Sequence, residues 1–150
     1  AYFIVDHIQR LGDLQFWRLN LKPGKPLAFG RIDNCWIFGL PGNPVSTIIT
    51  ALLLARPAIA FLAGVNLEKP LTLSAVLATP IQHSPGRTEF QRGQFHQDET
   101  GFKVSHTGEQ GSNRFSSFRY ANCLIEIDKE QGNLQMGDVV NILPLVNLLH

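Results

Sequence analysis

A chain of 150 residues is long enough for one or two small domains, and its 44% hydrophobic and 17% charged content excludes disorder on compositional grounds. Lys and Arg exceed Asp and Glu by only one charge, which gives no electrostatic case for a nucleic-acid partner. The five histidines have no ligand spacing, so no zinc site is expected. In chain order, Phe3 to Leu11 reads as the end of an amphipathic helix closed by Gly12. Leu14 to Leu21 alternates as a strand, and Pro23, Gly24 and Pro26 make a rigid turn. Leu27 to Ile32 and Cys35 to Phe38 form a hairpin around Asp33-Asn34. The strongest helix runs from Pro44 to Leu62 with apolar residues at 45, 48, 49, 52, 53, 59 and 62. Pro57 must kink or divide it, and Gly64 is an end signal. Its central apolar run, Ile48 to Leu54, is too short to span a bilayer and is followed by Arg56 and Pro57. No signal-peptide pattern is seen, so no membrane partner and a cytoplasmic location are expected.

From about Leu71 the composition changes to short apolar runs between Gly, Pro, Asn and Asp. Candidate strands are Leu71 to Thr79, Thr88 to Gln97, Phe102 to His106, Asn122 to Ile127 and Asp138 to Leu143, a spacing that suits a small antiparallel barrel or sandwich. Residues 65–70 are the expected boundary. Cys35 and Cys123 both lie in apolar strand-like runs and are expected to be buried free thiols.

The most informative stretch is GLPGNPVS, Gly39 to Ser46. The apolar Trp36, Ile37 and Phe38 run into a turn holding Gly39, Pro41 and Gly42. Asn43 can cap a helix, Pro44 suits its first turn, and Val45 begins the apolar run. A strand, a glycine-rich turn and a helix start leave backbone N–H groups available to an anion; the same pattern is also an ordinary strand-to-helix connection. Arg18, Lys22, Lys25 and Arg31 lie close by in sequence. Lys22 and Lys25 flank Pro23-Gly24, so their ammonium groups project from a stiff turn, either as positioned charge or as solvated surface.

Taken in order, KPGKPLAFG, GLPGNPVS, FQRG, QGS and FSSF resemble the C-terminal part of molybdopterin molybdenumtransferases, the family of bacterial MoeA and the gephyrin E domain. The resemblance runs from about Ile8 to about Pro144. It implies an α/β fragment, the C-terminal half of a molybdopterin-binding MogA-like domain over residues 1–64. A linker over 65–70 and a small all-β barrel-like domain over 71–150 would follow. Family members are much longer, so a C-terminal piece of a larger polypeptide is expected.

The function implied is molybdenum cofactor biosynthesis, the joining of molybdate to adenylylated molybdopterin with cleavage of its pyrophosphate bond. The alternative is a non-catalytic molybdopterin-binding or scaffold module of the gephyrin type. By the resemblance, Arg18, Lys22, Arg92 and Ser112 occupy catalytic-site positions, and Arg18 stands where many members carry Lys. Lys25, Pro41, Gly42, Asn43, Pro44 and Ser46 are expected to hold the molybdopterin substrate. Ser116 and Ser117 read as structural. The chemistry needs a divalent metal, magnesium in this family, held by carboxylates. Asp6, Asp13 and Asp33 are scattered, and Tyr2 stands where the family carries an acidic residue, so the magnesium ligands are expected mainly outside this chain. A homodimer is implied as well.

Overall fold

The hairpin expected around Asp33-Asn34 supplies two of the three strands of the first sheet in the structure, a computed structural model describing residues 13–17, 19–23, 27–108, 110 and 118–149. Strands β3 (Leu27–Ile32) and β4 (Cys35–Gly39) pair antiparallel, with Phe29 opposite Phe38 and Arg31 opposite Trp36. Asp33 adopts φ 49°, a conformation that Asp tolerates and that a two-residue turn requires. β1 (Asp13–Trp17) adds to the other side of β3, giving the order β1-β3-β4. Alternation along the strands puts Phe29, Arg31 and Trp36 on one face, where the rings of Phe29 and Trp36 stack 5.2 Å apart.

Two expectations change here. The strand from Leu14 to Leu21 is broken: β1 ends at Trp17, and Leu21–Lys22 form β2 in a second sheet. Cys35 is exposed, because β4 is an edge strand and Cys35 opens it directly after the turn. The expected helix over Phe3 to Leu11 lies outside the described residues.

Helix α1 (Pro44–Leu62) begins as the sequence predicts, with the Asn43 side chain accepting from the N–H groups of Val45 at 3.1 Å and Ser46 at 3.5 Å. The division expected at Pro57 takes the form of a π turn over Ala51–Ala55, where the Arg56 N–H reaches the Ala51 carbonyl five residues back. Pro57 then falls at the start of the next α-helical segment, Arg56–Leu62, where a missing N–H is tolerated. Gly64, at φ 74°, ends the helix: its N–H donates to Phe61 O and that of Val65 to Ala60 O. The apolar stretch is longer than Ile48 to Leu54 suggested, since α1 has 19 residues and by length and composition could cross a membrane. In this fold one face of α1 is committed to a protein core instead. Val45 and Ile49 are fully buried against Phe90, Leu124, Leu143 and Leu148.

Residues 65–72 carry no helix or strand. Beyond them, β5 (Leu73–Leu77), β6 (Thr88–Asp98), β7 (Gly101–His106), β8 (Cys123–Ile127) and β9 (Val139–Pro144) pair in the order β6-β7-β5-β9-β8. A further β6–β8 pairing closes the ring into a small barrel, which removes its free edges. The pairings are antiparallel except β5–β7. A five-residue helix, α2 (Leu145–Leu149), follows β9. The strand alternation sorts β8 cleanly. Cys123, Ile125 and Ile127 face the barrel interior with Leu77, Val104 and Ile142, while Leu124 faces α1. Gly93 lets β6 approach β8 closely, because a Cβ there would stand 2.7 Å from Ile125 Cγ1.

β6 is longer than its neighbours, and two side-chain amides complete its ladder. Asn122 accepts from Phe95 N–H and donates to Phe95 O, both at 2.8 Å. Gln110 accepts from Arg92 N–H at 2.8 Å and donates to Arg92 O at 3.1 Å.

Burial in the barrel pushes the Cys123 thiol up to about 12. A thiol that ionises less readily folded than unfolded contributes stability below its unfolded value, near 8.5. That contribution is lost as pH rises through the folded value. Native protein should therefore yield one alkylated cysteine, Cys35, with iodoacetamide at pH 8. Cys123 should react only in denaturant, and stability should fall between about pH 9 and 12. Equal labelling of both thiols in the native state would contradict the burial.

Candidate functional site

After Asn20 the chain joins the barrel sheet along one short seam. β2 (Leu21–Lys22) runs parallel to the start of β6, with Leu21 opposite Thr88 and Lys22 opposite Glu89, and Thr88 N–H donates to Asn20 O at 3.1 Å. Above this seam lies a cleft of about 1020 Å³. One wall is Lys22, Pro23 and the turn residues Pro41, Gly42, Asn43 and Ser46; the other comes from β6 and from the segments around Ile81 and Leu134, which bridge to each other. The fold therefore brings together five of the residues singled out in the sequence: Lys22, Pro41, Gly42, Asn43 and Ser46. Pro44 takes the first position of α1 and does not line the cleft. Arg18, Lys25 and Ser112 lie outside the described residues, as does Tyr2.

Lys22 reaches across the seam. Its ammonium group donates to Glu89 Oε2 at 3.1 Å; the lysine side chain is 51% exposed and the carboxylate only 4%. The Lys22–Pro23 peptide is cis. A lysine has three donors, so two remain for a ligand in the cleft. The Glu89 carboxylate also accepts from Gln91 Nε2 at 3.2 Å, and His83 Nε2 lies 3.8 Å away. His83 is itself held between the carbonyls of Gln131 and Arg87 at 2.9 and 3.1 Å, which ties the segment before β6 to the turn before Leu134.

The cap at the start of α1 uses some of the donors that the loop could offer an anion. Val45 and Ser46 N–H groups bond the Asn43 side chain, Thr47 N–H bonds Asn43 O, and Pro44 has none. The Thr47 hydroxyl is held between the carbonyls of Pro41 and Asn43. Positive charge in the cleft therefore comes from Lys22 and Arg87 rather than from the first helical turn.

Arg92 stands behind the cleft. Glu89 and Gln91 share the face of β6 that meets Ile127 and Ile125, whereas Phe90 and Arg92 share the opposite face. The Arg92 guanidinium is fully buried, donates to Gln110 O at 3.2 Å and lies 5.8 Å from the Phe118 ring centroid. Burial draws its proton affinity below the ordinary guanidinium range, and the Glu89 charge opposes that shift. Sequence reasoning took Arg92 from FQRG and passed over Glu89 and Gln91. Strand alternation through EFQRG would have shown that either the odd or the even pair, not both, could face a ligand.

Among the described residues no group of three or more His, Cys, Asp or Glu could hold a metal ion. Glu89, the carboxylate that lines the cleft, is already engaged by Lys22 and Gln91. These residues do not fit a magnesium site.

Residues 74–145 match the family model of the MoeA C-terminal region, domain IV. The chain carries a MoeA C-terminal region. Among curated relatives, a molybdopterin molybdenumtransferase of Haemophilus influenzae is 42% identical over 144 residues, 95% of this chain and 36% of that protein. Gephyrin of Dictyostelium discoideum is 34% identical over 160 residues, 91% of this chain and 22% of gephyrin. Among solved structures, a molybdopterin biosynthesis moeA protein from Pyrococcus horikosii superposes with a TM-score of 0.77 at 26% identity, covering 96% of this chain and 35% of that one. The chain thus spans about a third or less of the length of these relatives. Within the MoeA C-terminal region lie Glu89, Gln91 and Arg92; Lys22 and the Gly39 to Ser46 loop precede it. The all-β barrel expected for the second half of the chain agrees with this assignment.

Proposed function

We propose that the chain forms one side of the substrate site of a molybdopterin molybdenumtransferase and acts in molybdenum cofactor biosynthesis, inserting molybdate into adenylylated molybdopterin. One observation carries this reading: the fold gathers Lys22, Pro41, Gly42, Asn43 and Ser46, distant in sequence from β6, around a single cleft. In this reading molybdate or a phosphate sits by Lys22 and Arg87. Arg18, Lys25 and Ser112 complete the cationic rim by resemblance, and Arg92 braces the cleft wall through Gln110. Residues 1–64 are the C-terminal half of a MogA-like α/β domain, 65–70 a linker and 71–150 the barrel domain. Magnesium is held by carboxylates from elsewhere in the longer enzyme. A homodimer is supported by the exposed apolar end of α1, where Ile59, Phe61 and Leu62 are all solvent-facing. A cytoplasmic location is in keeping with a small-molecule biosynthetic role. The similarity to gephyrin favours a second reading, a binding module without turnover.

Lys22→Ala should weaken molybdate or phosphate binding by about 1–3 kcal/mol, the loss of one charge-assisted contact. Asn43→Ala should instead cost about 1 kcal/mol of stability through the lost helix cap and change binding less. Calorimetric titration of both variants, together with urea denaturation, separates the two roles. Unchanged oxyanion affinity in Lys22→Ala would remove the site assignment. Binding without turnover in the full-length enzyme carrying this sequence would favour the scaffold reading.

A further inference from the structure

His83 is sealed behind the cleft without lining it, its side chain only 1% exposed. Both of its ring nitrogens meet acceptors: Nδ1 lies 2.9 Å from Gln131 O and Nε2 lies 3.1 Å from Arg87 O. A carbonyl can only accept, and a neutral imidazole has one N–H and one lone pair. The neutral ring therefore satisfies one carbonyl and turns a lone pair on the other. Only the ring with two protons donates to both. The backbone on either side is held by other bonds. His83 N–H donates to Asn133 Oδ1 at 3.0 Å, Gly86 N–H donates to Lys129 O at 2.8 Å, and Ile81 and Leu134 exchange N–H and carbonyl at 2.9 Å in both directions. The ring is thus kept between two segments instead of turning to solvent.

We infer that His83 is a proton-operated latch on the turn over residues 128–133. With two ring protons it clamps that turn to the segment entering β6. With one it releases the Gln131 carbonyl and keeps that of Arg87. The two sides differ because Nε2 also faces the Glu89 carboxylate, with Oε2 3.8 Å away, so the remaining proton stays on Nε2 and Nδ1 gives its proton to solvent. Glu89 is the charged group that β6 presents to the ring, and Lys22 of β2 shares its Oε2 at 3.1 Å. The Arg87 side chain lies in the cleft. On the turn, Asp128, Lys129 and Glu130 are exposed, and the last two pair with each other at 3.7 Å. The latch is closed at low pH and opens as pH rises, in the interval where histidines change charge. Asn133, Leu134 and Gln135 carry the turn on into the cleft wall, so one proton sets how firmly that wall stands, whichever ligand the cleft takes.

The test follows the ring and the turn together in the full-length enzyme carrying this sequence. Nitrogen NMR of enzyme labelled at histidine should show the His83 ring passing from two protonated nitrogens to one between about pH 5 and 9, with Nε2 keeping its proton. Over the same interval, hydrogen exchange of peptides carrying the His83 and Gln131 amides, corrected for the intrinsic pH dependence of exchange, should lose about tenfold in protection. Amides of β8 should not change. His83→Gln cannot donate on both sides in the same way and should exchange at one protection level across the range. The inference is overturned if the ring keeps one protonation state throughout, if the neutral ring carries its proton on Nδ1, if protection at the turn does not follow the ring, or if His83→Gln shows the same pH response. Should His83→Gln fail to fold, the ring spectrum and the exchange of the unaltered enzyme decide between these outcomes.

Discussion

Arg92→Ala is expected to lower stability by about 2–5 kcal/mol, measured by urea denaturation. The side chain is fully buried, and its removal strips the Gln110 carbonyl of a donor and leaves a cavity beside Phe118. Arg92→Lys should recover only part of the loss. An ammonium keeps the charge but has neither the planar fork nor the flat face that lies against Phe118. A loss under about 1 kcal/mol in Arg92→Ala would show that the guanidinium is no brace for the cleft wall.

Ile49→Ala should cost about 2–5 kcal/mol, because Ile49 is fully buried where α1 joins the barrel and truncation there leaves a cavity. The control lies on the same helix. Phe61 is 78% exposed, and Phe61→Ala should change the stability of the monomeric fold by no more than about 0.5 kcal/mol. Thermal unfolding of the pair reads the two faces of α1 against each other. Equal losses would mean that α1 is packed differently from the arrangement described. A concentration-dependent loss in Phe61→Ala would point to an interface between copies.

The barrel strands were legible because each is a short apolar run bounded by turn residues, and five expected strands sit within a few residues of β5 to β9. Asn43 and Gly64 marked the ends of α1 for the same local reason: capping chemistry is written in one or two residues. What failed was set by tertiary placement. Leu14 to Leu21 alternates throughout, yet the chain changes sheets after Trp17, and no local pattern encodes which partner a strand will find. Cys35 sits in an apolar run but opens an edge strand, so its burial depended on a neighbour the run could not specify. Lys22 and the Gly39 to Ser46 loop could be singled out from spacing and charge. Their partner Glu89 could not, since the pairing joins residues 67 positions apart.

Gln110 and Asn122 stand in for strand residues, each presenting a donor and an acceptor to one peptide unit of β6 as a neighbouring backbone would. A backbone rung fixes how many residues a connection must contain; a side-chain rung does not. The chain between β7 and β8 is therefore free to grow or shrink in evolution without breaking the barrel, provided that an amide still arrives opposite Arg92 and another opposite Phe95. Relatives could thus remodel the rim of the cleft by insertion, altering what the cleft admits while inheriting the same barrel beneath it.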